Sequence, residues 1–209
     1  MTDLIPIFNT LNSELLTLLK SLKPSDWDKK IGYSNSSIKD VVIQLLDIDT
    51  RSTSEIALLE IIEKNLVQPL SVDNEFDLNH QYAKNWLAQQ QIRFELNNQK
   101  LLSREFYFPY LNELMQALPF TYEAVNSFVG ATVKVEIVGV AGGAWSIVKN
   151  DLGWSLTSVE IENPNALIYI DQQIAWLLFS GAINPLDAVQ YYQLHGDTEL
   201  ASHALKLIL

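Results

Sequence analysis

The chain contains no cysteine. Disulfides, thiolate metal sites and a cysteine nucleophile are therefore excluded, and the composition suits a reducing compartment. Positive charge is scarce: 14 Lys and Arg stand against 25 Asp and Glu, for a net charge of −11. Such a balance repels phosphate backbones, so no nucleic-acid partner is expected. The acidic residues are scattered and do not form a tail, which is the pattern of a solvated surface. No apolar run approaches the ~20 residues that span a bilayer, so no membrane insertion is expected. The longest, Ile174–Phe179, is the length of a core segment. Met1–Pro6 shows no basic segment followed by an apolar run, unlike a secretory signal. A cytoplasmic protein is the expectation. No Gly-x-Ser-x-Gly elbow occurs, and any chain of this length holds some Ser, His and Asp, so a hydrolase triad has no support.

What is present divides into two patterns. The first is helical. Leu4, Ile7, Phe8, Leu11, Leu15, Leu18, Leu19 and Leu22 recur at helical spacing, and Pro24 marks the end of that helix. Ser36 or Ser37 can cap a second helix with Ile38, Val41, Val42, Leu45 and Leu46 on its buried stripe. That helix either continues through Ile56, Leu59 and Ile62 or breaks at the polar run from Asp49 to Ser54. Residues 66–77, with Pro69, read as a loop. A third helix is expected from about Leu78 to Leu96, with Tyr82, Trp86, Gln89, Ile92 and Arg93 near one stripe. A fourth should run from about Ser103 to Leu118, started or kinked by Pro109.

The second pattern is strand-like. Thr132–Val138 alternates, with Val133, Val135 and Ile137 on one face. Trp145–Val148 and Trp154–Thr157 form a hairpin about Lys149–Gly153, and Ala166–Ile170 is a further strand. Asp171 opens a helix that Gly181 stops. Pro185 opens another through Tyr192, and Asp197 or Thr198 caps a last one. Gly139-Val140-Ala141-Gly142-Gly143 is followed by a strand and not by a helix, so it reads as a tight turn in preference to a phosphate loop. The fold class is α+β: a helical bundle over residues 1–122, then a small α/β domain with a mostly antiparallel sheet over residues 123–209.

Several segments together resemble a known family. Asp26-Trp27 and Ile38-Lys39-Asp40-Val41-Val42-Ile43-Gln44-Leu45-Leu46-Asp47 resemble the second-helix signature of the mycothiol-dependent maleylpyruvate isomerase family, whose first domain is a DinB-like four-helix bundle. Trp86-Leu87-Ala88-Gln89-Gln90-Gln91-Ile92-Arg93 resembles its second motif. Gly139–Trp145, Gly153-Trp154, Ala175-Trp176 and Gly196-Asp197 are similar to its other domain, which is related to sterol carrier protein 2. The interval from residue 52 to residue 77 is shorter than the family's, which has a full helix there. A homodimer through the bundle would cover the face such a loss exposes.

The resemblance implies a divalent metal held by a His on the second helix and a Glu-x-x-x-His pair on the later one, since i and i+4 share a helical face. The matching positions here are Gln44, Lys84 and Ala88. No metal and no cofactor are therefore expected. The other histidines supply no ligand set: His195 and His203 fall on different elements, and His80 reads as a helix-start or surface residue. The expected cleft is lined by Gln44, Lys84, Trp86, Ala88 and Arg93. It could take an anionic or amide-bearing small molecule, or Gln44 and Lys84 could plug a vestigial site. The expected function is small-molecule binding or interaction. The alternative is a thiol-dependent isomerase or transferase in which Lys84 replaces the metal's charge. Phe106, Tyr107, Phe108 and Tyr110 read as packing before a ligand cage. Trp145, Trp154 and Trp176 read as core before the wall of a lipid tunnel.

Overall fold

A computed structural model describes residues 4–32, 34–46, 54–66 and 75–208. The chain forms two compact units, 1–110 and 111–209. The polar run at 49–53 and the loop at 67–74 lie outside the described residues.

The first unit is helical: α1 (Leu4–Lys20), α2 (Pro24–Trp27), α3 (Ile38–Leu45), α4 (Glu55–Leu66), α5 (Glu75–Glu95) and the start of α6 (Arg104–Met115). The helix expected to begin near Leu78 starts three residues earlier, at Glu75. Ser37 caps α3, as its spacing suggests. Its hydroxyl accepts from the Asp40 amide while the Asp40 carboxylate accepts from the Ser37 amide, so two otherwise unpaired donors are satisfied reciprocally. The stripe on α1 is buried at Phe8, Leu11, Leu15 and Leu19. Leu15, Leu19, Trp27, Ile38, Val42, Leu58, Ile62 and Ile92 join in one apolar cluster, which ties α1, α3, α4 and α5 together. Pro109 lies inside α6 and does not open it.

The second unit is a five-stranded sheet with helices: α7 (Leu118–Thr121), β1 (Thr132–Val138), β2 (Gly143–Asn150), β3 (Gly153–Thr157), β4 (Ala166–Asp171), α8 (Gln172–Phe179), β5 (Tyr192–Gly196) and α9 (Thr198–Ser202). The strand order is β3-β2-β1-β4-β5. Three of the four ladders are antiparallel, and β1 with β4 is parallel. The sheet is thus mixed. Asn165 aligns the parallel pair: its side-chain oxygen accepts from the Thr132 amide and hydroxyl, and its own amide donates to the Thr132 hydroxyl.

Alternation decides the two faces. Val133, Val135, Ile137, Ile147, Ala166, Ile168 and Ile170 are buried on one of them. Trp154 and Trp176 are buried, Trp145 half-buried. The other face carries Lys134, Glu136, Tyr169, Gln193 and His195, none of them buried.

One element differs from the sequence reading. Pro185–Tyr192 is not an α-helix. Asn184 folds the chain, its side chain accepting from the Leu186 amide, as an Asn-Pro pair favours. A 3-10 turn at Val189–Tyr191 follows, and Tyr192 then opens β5, an edge strand that pairs with β4. Upstream, Asp171 caps α8 and Gly181 ends it at φ 70°, both as read from the sequence.

Candidate functional site

The five residues of the expected cleft separate into two groups. Gln44 and Lys84 are exposed, and among the described residues they share no hydrogen bond or ion pair. Ala88 is half-buried and packs on the apolar cluster that includes α3. Trp86 and Arg93 are buried on another stripe of α5 and are occupied by packing. The Trp86 ring lies against Tyr107 and Tyr110, at centroid distances of 4.8 and 4.2 Å, and its indole N–H donates to the Leu101 carbonyl. Tyr107 and Tyr110 are therefore packing partners. Tyr82 donates to the Phe106 carbonyl at 2.7 Å, and burial pushes its phenol well above the usual range.

Below Trp86 the stripe turns polar. Gln89 donates to the Leu11 carbonyl and to Asn85, whose amide donates to Asn12. Arg93 donates to the Glu14 carbonyl at 3.0 Å and lies 4.0 Å from the Glu14 carboxylate, which Lys100 also holds at 2.7 Å. Burial lowers the Arg93 pKa from its ordinary value, and the Glu14 charge opposes that shift. These groups lock α1 to α5. Among the described residues, no group of three or more His, Cys, Asp or Glu is placed to hold a metal ion.

A different concavity lies in the second unit. A pocket of about 420 Å³ opens at the carboxyl ends of the parallel strands β1 and β4. Glu136, Tyr169 and Gln193 occupy one row across β1, β4 and β5: Glu136 pairs in register with Tyr169, and Tyr169 with Gln193. Cross-strand partners point to the same face, so the three side chains stand side by side. Val138 and Asp171 form the next row. Gln190 and Tyr191, from the 3-10 turn, and Tyr192, opening β5, complete the wall. The Asp171 side chain also caps α8 through the Gln173 amide. Lys134 lies one row back, 3.5 Å from the Glu136 carboxylate, and His195 sits edge-on to the Tyr169 ring at 5.5 Å.

The rim beside Val138 is a turn with one side-chain anchor. The Gln172 side chain accepts from the Ala141 amide and anchors the Gly139–Gly142 segment to the start of α8. A Cβ on Gly142 would collide with the Ile137 carbonyl, so only glycine lets the backbone pass there. The glycine-rich segment is a tight β1–β2 turn.

A smaller pocket, about 240 Å³, lies beside His203, Asp197, Glu199 and Val125. His203 is a structural residue there. Its Nε2–H donates to the Thr121 carbonyl, and Lys206 donates to its Nδ1. Burial first, and the Lys206 charge second, lower its pKa.

The row Glu136–Tyr169–Gln193 was not singled out in the sequence. The outward position of Glu136 was legible from the alternation in β1. Its neighbours were not, because parallel pairing of β1 with β4 and the existence of β5 are tertiary facts.

No family model, no curated protein and no solved structure matches the chain. The described residues contain no helix long and apolar enough to cross a membrane.

Proposed function

We propose that this is a small-molecule-binding protein whose ligand sits in the pocket at the ends of β1 and β4. One observation carries the reading: the row Glu136–Tyr169–Gln193, closed at one end by Asp171 and Tyr191, gathers polar and aromatic groups around about 420 Å³ of space. That volume lies in the range of small-ligand sites. Parallel strands end on the same side, so the segments that follow β1 and β4 converge there, a recurrent place for ligands. The α5 stripe offers less, because Trp86 on it is already packed against Tyr107 and Tyr110 of α6.

We also propose a distant kinship to the mycothiol-dependent maleylpyruvate isomerase family, without its metal chemistry. Its support is the order of a helical unit before a sheet-containing unit, together with the motifs on α3 and α5. The thiol-dependent alternative needs Lys84 as a catalytic charge, and its exposed position does not favour that role.

The test is a fragment screen followed by amide chemical shifts of the labelled protein. Shifts should concentrate at Glu136, Tyr169 and Gln190–Gln193. Shifts at Gln44, Lys84 and Ala88 would return the site to α3 and α5, and silence from every fragment would remove the reading.

A further inference from the structure

The chemistry of the pocket narrows its ligand. Nine residues line it, and they include two carboxylates and no Lys, Arg or His. Of its three tyrosines, Tyr192 pairs with Ile170 and belongs to the opposite face of the sheet, which leaves the rings of Tyr169 and Tyr191. Carboxylates attract positive charge directly. The face of a phenol ring does so through its quadrupole, and it favours a weakly hydrated organic cation over a small hard ion. The chain's net charge of −11 adds a long-range negative potential. Tyr191 is 40% exposed, so a face of that ring can receive a ligand. Among the described residues, Lys134 pairs with Glu136 from outside the pocket lining, and His195 meets the Tyr169 ring edge-on. The α8 N-terminus, which would draw an anion, is already capped by Asp171. Calcium and magnesium generally take six or more oxygen ligands, water included, and calcium sites often use several carboxylates. Glu136 and Asp171 are the only carboxylates in the lining, one beside Lys134 and the other capping a helix.

Resting on the small-molecule reading above, we propose that the pocket binds a compact organic cation, an alkylammonium head group. Its positive charge sits between the Glu136 carboxylate and the Tyr169 and Tyr191 rings, and Gln193 hydrogen-bonds whatever polar tail the ligand carries. Lys134 then acts as an internal competitor: it pairs with Glu136 and must yield part of that contact when the ligand enters.

The experiment is titration of the full chain with choline, followed by calorimetry and by amide shifts. The controls are its uncharged isostere 3,3-dimethyl-1-butanol and calcium chloride. Choline should bind at the pocket, with the isostere weaker by about tenfold or more, since it fills the same shape without the charge. Glu136→Gln and Tyr191→Ala should each weaken choline binding by roughly three- to thirtyfold. Both positions are incompletely buried, and a thermal melt verifies that each variant folds. Lys134→Ala should instead tighten binding, an effect that loss of structure cannot mimic. Equal binding of choline and the isostere would overturn the cation assignment while leaving a ligand pocket in place. Calcium binding at Glu136 and Asp171 with no response to choline would overturn it too. If choline fails but other fragments bind the pocket, the ligand class is wrong and the small-molecule reading stands. If no fragment binds, both fall.

Discussion

Arg93 on α5 donates from Nη2 to the carbonyl oxygen of Glu14 on α1, across 3.0 Å in a setting where Arg93 is 1% exposed. Its Nε has no partner among the described residues. A buried guanidinium with an unmet donor is costly, and what it gains is a fixed relation between two helices. Truncation and apolar replacement should therefore differ. Arg93→Ala leaves a cavity and removes the second donor from a carbonyl that α1 already pairs within the helix, and should cost about 2–4 kcal/mol, most of it from the cavity. Arg93→Met refills the space without a charge to desolvate, and should cost under ~1 kcal/mol. Urea unfolding of the two variants checks this. Equal losses would show that the charge itself matters.

Trp86 contributes through packing and through one hydrogen bond. Trp86→Ala should lose about 3–5 kcal/mol, the range for removing a large buried aromatic ring. Trp86→Phe keeps a ring against Tyr107 and Tyr110 but leaves the Leu101 carbonyl without its indole donor, for a loss of about 1–3 kcal/mol. Thermal melts of both should fall in that order. A ligand-site role for Trp86 would instead show as lost binding in a variant that stays stable.

His203 makes stability depend on pH. Its folded pKa is lowered, so the folded state favours the neutral imidazole and binds fewer protons there than the unfolded chain. The sign follows. Its contribution is full above the unfolded value near 6.5, and it is lost as pH falls through the lower folded value. Melting temperature should drop between pH 7.5 and pH 5. His203→Gln, which keeps a side-chain donor for Thr121 without titrating, should flatten that part of the profile. An unchanged slope would remove His203 as the cause.

Asn165 sets the register on which the pocket depends. Asn165→Ala removes the acceptor for the Thr132 amide and hydroxyl. The expected loss is about 1–2 kcal/mol. The amide signals of Glu136 and Tyr169 should broaden or shift, because their pairing lies along the same ladder. Sharp, unmoved signals at those two positions would mean that the ladder holds its register without Asn165.

Gln44 and Lys84 supply the contrast. Both are exposed, so Gln44→Ala and Lys84→Ala should each change stability by under ~0.5 kcal/mol and leave pocket binding untouched. A lost activity in Lys84→Ala would revive the thiol-dependent reading.

Local chemistry was legible in the chain. The Ser37 cap, the α5 stripe, the alternation in β1, the Asp171 start and the Gly181 stop all depend on residues within a few positions of one another, and each was found where the spacing implied. The absence of cysteine and the excess of acid are likewise properties of composition alone. The pocket belongs to the other kind of fact. Glu136 and Tyr169 are 33 positions apart, and Gln193 lies 24 further on. Only the pairing of β1 with β4 and of β4 with β5 brings them into one row. The segment before Gln193 was misread as helix because Pro185 can open a helix or a turn, and the outcome was decided by the vacant edge of β4. On α5 the sequence placed Trp86 and Arg93 near one stripe and read both as lining a cleft, but a stripe does not say what it faces. Tyr107, Tyr110 and Glu14 do, and their contacts exist only after the helices pack.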